Sequence, residues 1–569
     1  MKHERQAGGS EPSAAMGALI GVLVTAPTIA LQYLGASAFG LPFPPFDAFD
    51  WLARILPGNV VTAGIDALVG VIAGLNLGET SATAKALEQT LAVALFLGLG
   101  LAAGALLFAL QGRLKGSLSI RLGLAAGMVA GALMIALYLG VNQTATATLA
   151  ISVMWLLAVS VGWGGAIGQV HARLRPTQAV AVELPVISAA PSDPAGSELR
   201  LGPPVETGLI NRRQFLLRVG GTAAVITVVG AGLGTLLKSE QSGPQPAQVT
   251  TGGDRQPALP ANLPNAGDPL QPAPGTRPEY TPLDQHYRID INLIPPSVSA
   301  EGWVLPVDGL VAQPLRLTLD DLRTRYPLRE QYVTLSCISN PVGGDLIGTT
   351  LWTGASLQDI LAEARPLPEA AYLRITAADG FDETVALDLI RADARIMLCY
   401  AWDSQPLTVE HGFPLRIYIP DLYGMKQPKW ITAIQVVADY EEGYWVRRGW
   451  DEVARMQTTA VIDTIAARAL IEEGGRLLVP VGGIAHAGAR GISRVEVRVD
   501  DGPWEEARVR APLSETTWVI WRYDWPFQEG QHIFAVRAYD GDGVMQESEP
   551  RGPRPSGATG IHSRSATLE

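Results

Sequence analysis

Four apolar runs crowd the first 170 residues of this 569-residue chain, at roughly 15–34, 91–110, 122–139 and 148–170, and a fifth follows at 217–237. Each is close to the 20 or so residues that cross a bilayer. An aqueous globule cannot bury that much uninterrupted apolar helix, so the N-terminal part is expected to be an all-α transmembrane bundle over 1–176. Loop charges orient it. Lys2 and Arg5, then Arg113, Lys115 and Arg121, then Arg173, Arg175, Arg212, Arg213 and Arg218 fall in alternate loops, which the positive-inside rule makes cytoplasmic. Counting Trp51–Leu75 as a sixth span would put Lys2 and Arg5 outside. That stretch carries Arg54, Pro57, Asn59 and Asp66 and reads as an amphipathic interfacial or re-entrant segment. Everything after Leu237 then lies outside the cytoplasm, in an integral protein of the cytoplasmic membrane.

Residues 177–216 form the longest expected cytoplasmic loop. Within it Asn211-Arg212-Arg213-Gln214-Phe215-Leu216-Leu217 resembles a twin-arginine export signal; an ordinary basic anchor at a membrane edge would look the same and gives the same orientation. Glycines at 98, 100, 104, 123, 127 and 131 suit close helix packing, in a packed bundle or a partner-binding surface; a mere anchor is the plainer alternative. None of the seven histidines lies within a span and no Cys-x-x-Cys-His occurs, so a haem in this chain is not expected. Electrons would pass through a separate redox partner, a cytochrome or a quinone-linked protein. The formal charge of −12 and the lack of a basic stripe argue against nucleic acid.

Residues 238–282 are rich in Pro, Gly, Gln and Ala without apolar periodicity, which predicts a disordered linker. Short mixed elements follow over 283–455. Thr318 and Ser356 stand where they can cap helices on Leu319–Leu322 and Leu357–Ala364. Strands are expected at Tyr372–Thr376, Thr384–Leu387, Leu415–Ile419 and Ile431–Val437, which gives an α+β domain.

Two features there carry chemistry. Tyr332–Ser336 reads as a strand that delivers Cys337 to a turn at Asn340-Pro341. Cys337 is one of two cysteines, and at a strand end its thiolate can ligate a soft metal or act as a nucleophile; taken alone, without its context, it reads better as a small buried residue. Cys399 lies in an apolar run and reads as core. The second feature is His411-Gly-Phe-Pro-Leu-Arg416 followed by Gly424-Met-Lys426-Gln427-Pro428-Lys429-Trp430. Arg416, Lys426 and Lys429 can bind an anion such as phosphate, and Gly424 permits close backbone approach. The same bases could instead pair with acids such as Asp421.

Leu335-Ser-Cys337 with Asn340, Trp352-x-Gly354 with Leu357 and Leu361, the His411–Arg416 run and the Gly424–Trp430 run together resemble the sulfite oxidase family of molybdenum enzymes, over roughly Tyr287–Trp450. The resemblance implies molybdenum carried by molybdopterin, with Cys337 as the metal ligand. It gives His411, Arg416, Lys426, Gln427, Pro428 and Lys429 to the pterin and its phosphate, with Tyr287, Asp290, Asn340 and Asp379 as further cofactor contacts. The family keeps a tyrosine near the metal where this chain has Trp450, which makes Trp450 a candidate shaper of the substrate pocket. No clear match exists for the arginine that holds sulfite, and Arg288 looks displaced. The expected activity is oxygen-atom transfer on a small molecule such as a sulfoxide, with sulfite oxidation as the alternative and a metal-free membrane scaffold or sensor as the non-enzyme alternative.

Residues 456–555 alternate as short strands separated by Asp-Gly turns, which predicts an all-β sandwich. It resembles the immunoglobulin-like dimerisation domain of the same family, which implies a homodimer. His486 and His532 read as structural, and 556–569 as a frayed tail.

Overall fold

The computed structural model describes residues 12–75, 77–111, 118–141, 147–175, 212–241 and 263–569. By its internal contacts the chain divides into two units, Met1–Trp51 with Thr90–Gln248 and Leu52–Gln89 with Val249–Glu569.

The first unit is helical. Its helices are α1 (Ala14–Phe39), most of α2 (Pro44–Ile55), then after α3 (Gly58–Leu75) most of α4 (Thr80–Gln111), α5 (Leu118–Val141), α6 (Leu149–Leu174) and α7 (Arg212–Gln241). Five described helices are long and apolar enough to cross a membrane: 14–39, 80–110, 119–141, 149–174 and 217–236. They match the five expected spans. Large apolar side chains such as Leu99, Leu133 and Val228 are exposed on them, as lipid-facing surfaces require. The glycines seam the helices together: a Cβ on Gly104 would stand 2.3 Å from the carbonyl oxygen of Gly17, and one on Gly164 2.2 Å from that of Gly123. Arg212 and Arg213 open α7; Asn211 and the rest of the expected cytoplasmic loop lie outside the described residues.

The second unit holds three sheets. Strands β1 (Val304–Gly309), β2 (Leu315–Thr318), β5 (Tyr372–Ala377), β6 (Asp382–Ala386) and β10 (Ile431–Val437) form a mixed sheet in the order β2-β1-β10-β5-β6, parallel only at β1–β10. Strands β3 (Leu328–Ser336), β4 (Ile347–Ser356), β7 (Met397–Trp402), β8 (Gln405–Pro406) and β9 (Arg416–Tyr418) form an antiparallel sheet in which β9 pairs with β7. Helices α8 (Leu319–Thr324), α9 (Leu357–Ala364) and α10 (Leu387–Ala392) pack between. Thr318 caps α8 through a capping box with Asp321, and the Ser356 hydroxyl accepts from Asp359 N. A large apolar core spans this region, and Cys399 is fully buried in the cluster beside it.

The C-terminal part is all-β: β11 (Thr459–Ile465), β12 (Ile471–Glu473), β13 (Arg476–His486), β14 (Ile492–Val499), β15 (Glu505–Val509), β16 (Val519–Pro526), β17 (Gly530–Asp540) and β18 (His562–Leu568). β15 pairs with both β14 and β16, so the strands fold around a core of Trp521, Phe534 and Val536.

Two expectations fail here. Residues 556–569 are not a frayed tail: β18 pairs with β17 along its length and buries Leu568. The linker expected over 238–282 is ordered from Leu263. Arg510 donates to Glu279 and to the backbone oxygens of Asn265 and Leu270, and Leu263 and Tyr280 pack on Leu513. The part before Leu263 lies outside the described residues.

Candidate functional site

Strand β3 ends at Ser336, and the chain then tightens. Cys337 N donates to the Leu346 carbonyl at 3.0 Å, Asn340 N to the Cys337 carbonyl at 3.1 Å, and Leu346 N to Asn340 Oδ1 at 3.0 Å. Asn340 therefore shapes the loop that presents Cys337 and does not itself line the recess. The Cys337 Sγ lies 3.0 Å from the Ser339 hydroxyl. Burial pushes its thiol up, and the Ser339 contact only partly offsets this.

The thiol opens into one recess shared with Tyr287, Arg288, Asp379, Arg416, Lys429 and Trp450. Two glycines bring its walls together. A Cβ on Gly424 would stand 3.3 Å from Tyr287 Oη, so the 424–430 loop lies directly against Tyr287. Gly412 has φ +111°, with Lys429 Cβ and Arg416 Cβ each within 3.2 Å of where its own Cβ would be, so only glycine fits between the two bases.

Charge is unevenly matched in this recess. Lys429 and Arg288 both pair with buried Asp290. Burial opposes ionisation of Asp290, but Lys429 and Arg288 hold its carboxyl below the usual range. Arg416 has no carboxylate within ion-pair reach among the described residues. It donates to the His411 carbonyl at 3.2 Å, lies over the Trp352 ring, and its buried Nε has no acceptor. Arg288 Nη2 and Gln427 Oε1 are likewise buried without partners, while Gln427 Nε2 donates to the Ile419 and Leu422 carbonyls. His411 lies against Trp402 at a tilt of 45°, 4.4 Å between ring centroids, and burial holds its imidazole well below the ordinary range, so it is neutral. Burial raises the Asp379 carboxyl to about 6. Pro428 lends its carbonyl to Ile417 N at 3.2 Å.

Lys426 departs from expectation. Its Nζ points away from the recess, to Glu383 Oε1 at 2.6 Å and the Thr384 carbonyl at 3.2 Å. A buried carboxylate claims it, so it is not positioned as a cofactor contact. Arg288, set aside on sequence, is in the recess wall. Sequence reasoning also missed Lys85, which lines the same recess.

A buried thiol that shares a recess with a guanidinium lacking a carboxylate partner suits a metal-bound, anionic ligand: the thiolate needs a cation and the guanidinium an anion. The model of the oxidoreductase molybdopterin binding domain matches residues 292–445. The mitochondrial sulfite oxidase of Mus musculus is 30% identical over 274 residues, 40% of this chain and 50% of that protein. The uncharacterized oxidoreductase YuiH of Bacillus subtilis (strain 168) is 34% identical over 148 residues, 26% of this chain and 72% of that protein. This chain belongs to the sulfite oxidase family of molybdopterin enzymes. Among solved structures, the sulfane dehydrogenase SoxCD from Paracoccus pantotrophus is 21% identical, with a TM-score of 0.41 over 49% of this chain and 80% of that one.

Membership in the sulfite oxidase family implies a molybdenum–molybdopterin cofactor. The chain spans only half the length of the mouse relative. The segment matched to the family model starts after Tyr287, Arg288 and Asp290 and stops before Trp450, so part of the recess is built from residues outside it.

Proposed function

We propose that the chain is a membrane-anchored, extracytoplasmic oxidoreductase that transfers an oxygen atom to or from a small oxo compound, a sulfoxide first among them. The observation that carries this reading is the presence, in one recess, of the Cys337 thiol and of the Arg416 guanidinium, which faces no carboxylate among the described residues and whose buried Nε has no acceptor. When bound, the molybdenum cofactor would supply the two-electron change that accompanies oxygen gain or loss. Cys337 would hold the metal. Arg416, Lys429 and the Gln427-Pro428 backbone would hold the pterin and its phosphate, with neutral His411 and Tyr287 packed beside them. Asp290 keeps Lys429 and Arg288 in place. Trp450, Met425 and Ile338 form an apolar cluster that excludes water from the outer recess. The extracytoplasmic placement rests on the loop charges, and a separate redox partner on the spans' holding a single histidine, His171, where a bis-histidine haem needs two. The C-terminal strands are read as an immunoglobulin-like dimerisation domain.

Trp450 offers no hydroxyl at the metal side, which favours sulfoxide reduction over sulfite oxidation. One observation favours the second reading: Arg288 lines the recess with a buried Nη2 that has no acceptor and could donate to an oxyanion.

Metal and pterin content of the purified wild type, beside Cys337→Ser, tests the class. About one molybdenum and one pterin per chain, followed by turnover of sulfoxides with a reduced dye, supports the proposal. Turnover of sulfite with an oxidised dye and not of sulfoxides would favour the second reading. A metal-free wild type from a host that makes the cofactor would overturn both and leave a membrane scaffold.

A further inference from the structure

Residues 52–89 precede Cys337 by more than 240 positions, yet they pack with the second unit and line the same recess. Ile65, Leu68 and Val69 of α3 contribute one side. Their i, i+3, i+4 spacing puts them on a single helix face, and Ile72 on that face is buried, whereas Ala63, Gly64, Asp66 and Ala67 are exposed. The first turns of α4 add Ala84 beside the polar Thr80, Ser81, Lys85 and Glu88, so the apolar face is that of α3.

This segment is fastened at several points. Arg54 Nη2 donates to the Asp379 carbonyl at 2.8 Å and to Asn292 Oδ1 at 3.0 Å. Lys85 Nζ donates to the Asn292 carbonyl at 3.1 Å and pairs with Glu88. Thr80 N donates to Asp345 Oδ2 at 2.8 Å, and Arg554 pairs with Asp66 at 2.8 Å. Gly58 lies so close to Arg448 that a Cβ would stand 2.7 Å from its Cα. Contacts at both ends and in the middle hold the Ile65–Val69 face toward the recess. Across the recess it meets Phe381, Trp445 and Trp450.

We propose that residues 52–89 are the outer wall of the substrate chamber and that the Ile65–Leu68–Val69 face selects substrates carrying an apolar substituent, such as an aryl or long alkyl group on the sulfoxide sulfur. The proposal rests on the oxygen-transfer reading above. The polar end of the recess, with Arg416, Arg288 and Lys429, is left to the cofactor and the reacting oxygen. An apolar pocket discriminates through the surface it buries.

The test uses the full chain, cofactor-loaded, in detergent. Calorimetry without an electron donor measures binding of methyl phenyl sulfoxide and of dimethyl sulfoxide to the wild type, to Leu68→Ser and to Ala67→Ser, the last altering the exposed side of α3. Leu68→Ser should weaken methyl phenyl sulfoxide about tenfold, leave dimethyl sulfoxide unchanged and keep full molybdenum and pterin content; Ala67→Ser should change nothing. Equal effects on both ligands, no effect on either, or a wild type that binds neither would overturn the wall. Selective binding without turnover when a reduced dye is added would leave the wall standing and sink the oxygen-transfer reading, so the two failures are distinguishable.

Discussion

Lys426 Nζ sits 2.6 Å from Glu383 Oε1, with side-chain exposures of 4% and 0%, so the first of the two bases in the Gly424–Trp430 loop serves the fold. Lys426→Met should leave Glu383 buried without its partner and cost about 3–5 kcal/mol of stability, read as a fall in the unfolding midpoint. Lys426→Met combined with Glu383→Gln should recover much of that loss. A variant as stable as wild type that merely lost pterin would contradict the pairing.

Arg416→Met should act in the opposite sense. It removes a buried cation that has no carboxylate partner, so thermal unfolding should shift little while pterin content falls severely. Unchanged pterin content would remove Arg416 from the cofactor site.

Cys337→Ser should keep the chain folded, because the side chain is nearly isosteric and its loop is closed by backbone bonds to Leu346 and Asn340. Molybdenum should be lost or made inactive, with circular dichroism unchanged. Full activity in this variant would exclude the thiolate as the ligand.

Trp450→Tyr should restore a hydroxyl to the outer recess. The ratio of kcat/KM for sulfite to that for a sulfoxide should rise by about tenfold or more, with molybdenum content constant. Unchanged kinetics with both substrates would remove Trp450 from the pocket.

Asp379 gives a pH signature. Burial raises its carboxyl to about 6, against the Phe381 N–H that it accepts. The unfolded chain releases this proton near pH 4, the folded chain only near 6. Between those values the folded state holds more protons, so this group's contribution to stability falls as pH rises. Asp379→Asn keeps the acceptor and cannot ionise. Its stability relative to wild type should improve by about 3 kcal/mol from pH 4 to pH 7, followed by denaturation at a series of pH values. A pH-independent difference would place Asp379 in a more polar setting.

Much of this was legible because it is local. Thr318 and Ser356 cap the helices that follow them, and Cys337 stands at the end of its strand, since caps and strand ends depend on neighbours in sequence. The spans announced themselves by length. What escaped depends on partners far along the chain. Lys426 and Lys429 are three residues apart on one short turn, and nothing nearby says that one points to Glu383 and the other to Asp290. The ordered stretch from Leu263 shows no periodicity because polar groups, Asn265 and Glu279 against Arg510, fasten it. β18 is a polar edge strand, His562-Ser-Arg-Ser-Ala-Thr-Leu568, whose order comes from the β17 backbone. Arg54 reads as an interfacial charge and Lys85 draws no notice, because their acceptors lie more than 200 residues downstream.

The bond from Arg54 to the Asp379 carbonyl spans 325 positions, and this has a consequence for biosynthesis. A ribosome completes α3 long before Asn292 or Asp379 exists, so the early helical hairpin must wait for its dock to be made. A fragment begun at Leu263 would lack the Ile65, Leu68 and Val69 side of the recess, and under the proposal above its specificity would differ from that of the longer chain. The second unit is discontinuous in sequence, and cutting the chain between the last span and Leu263 divides the recess itself.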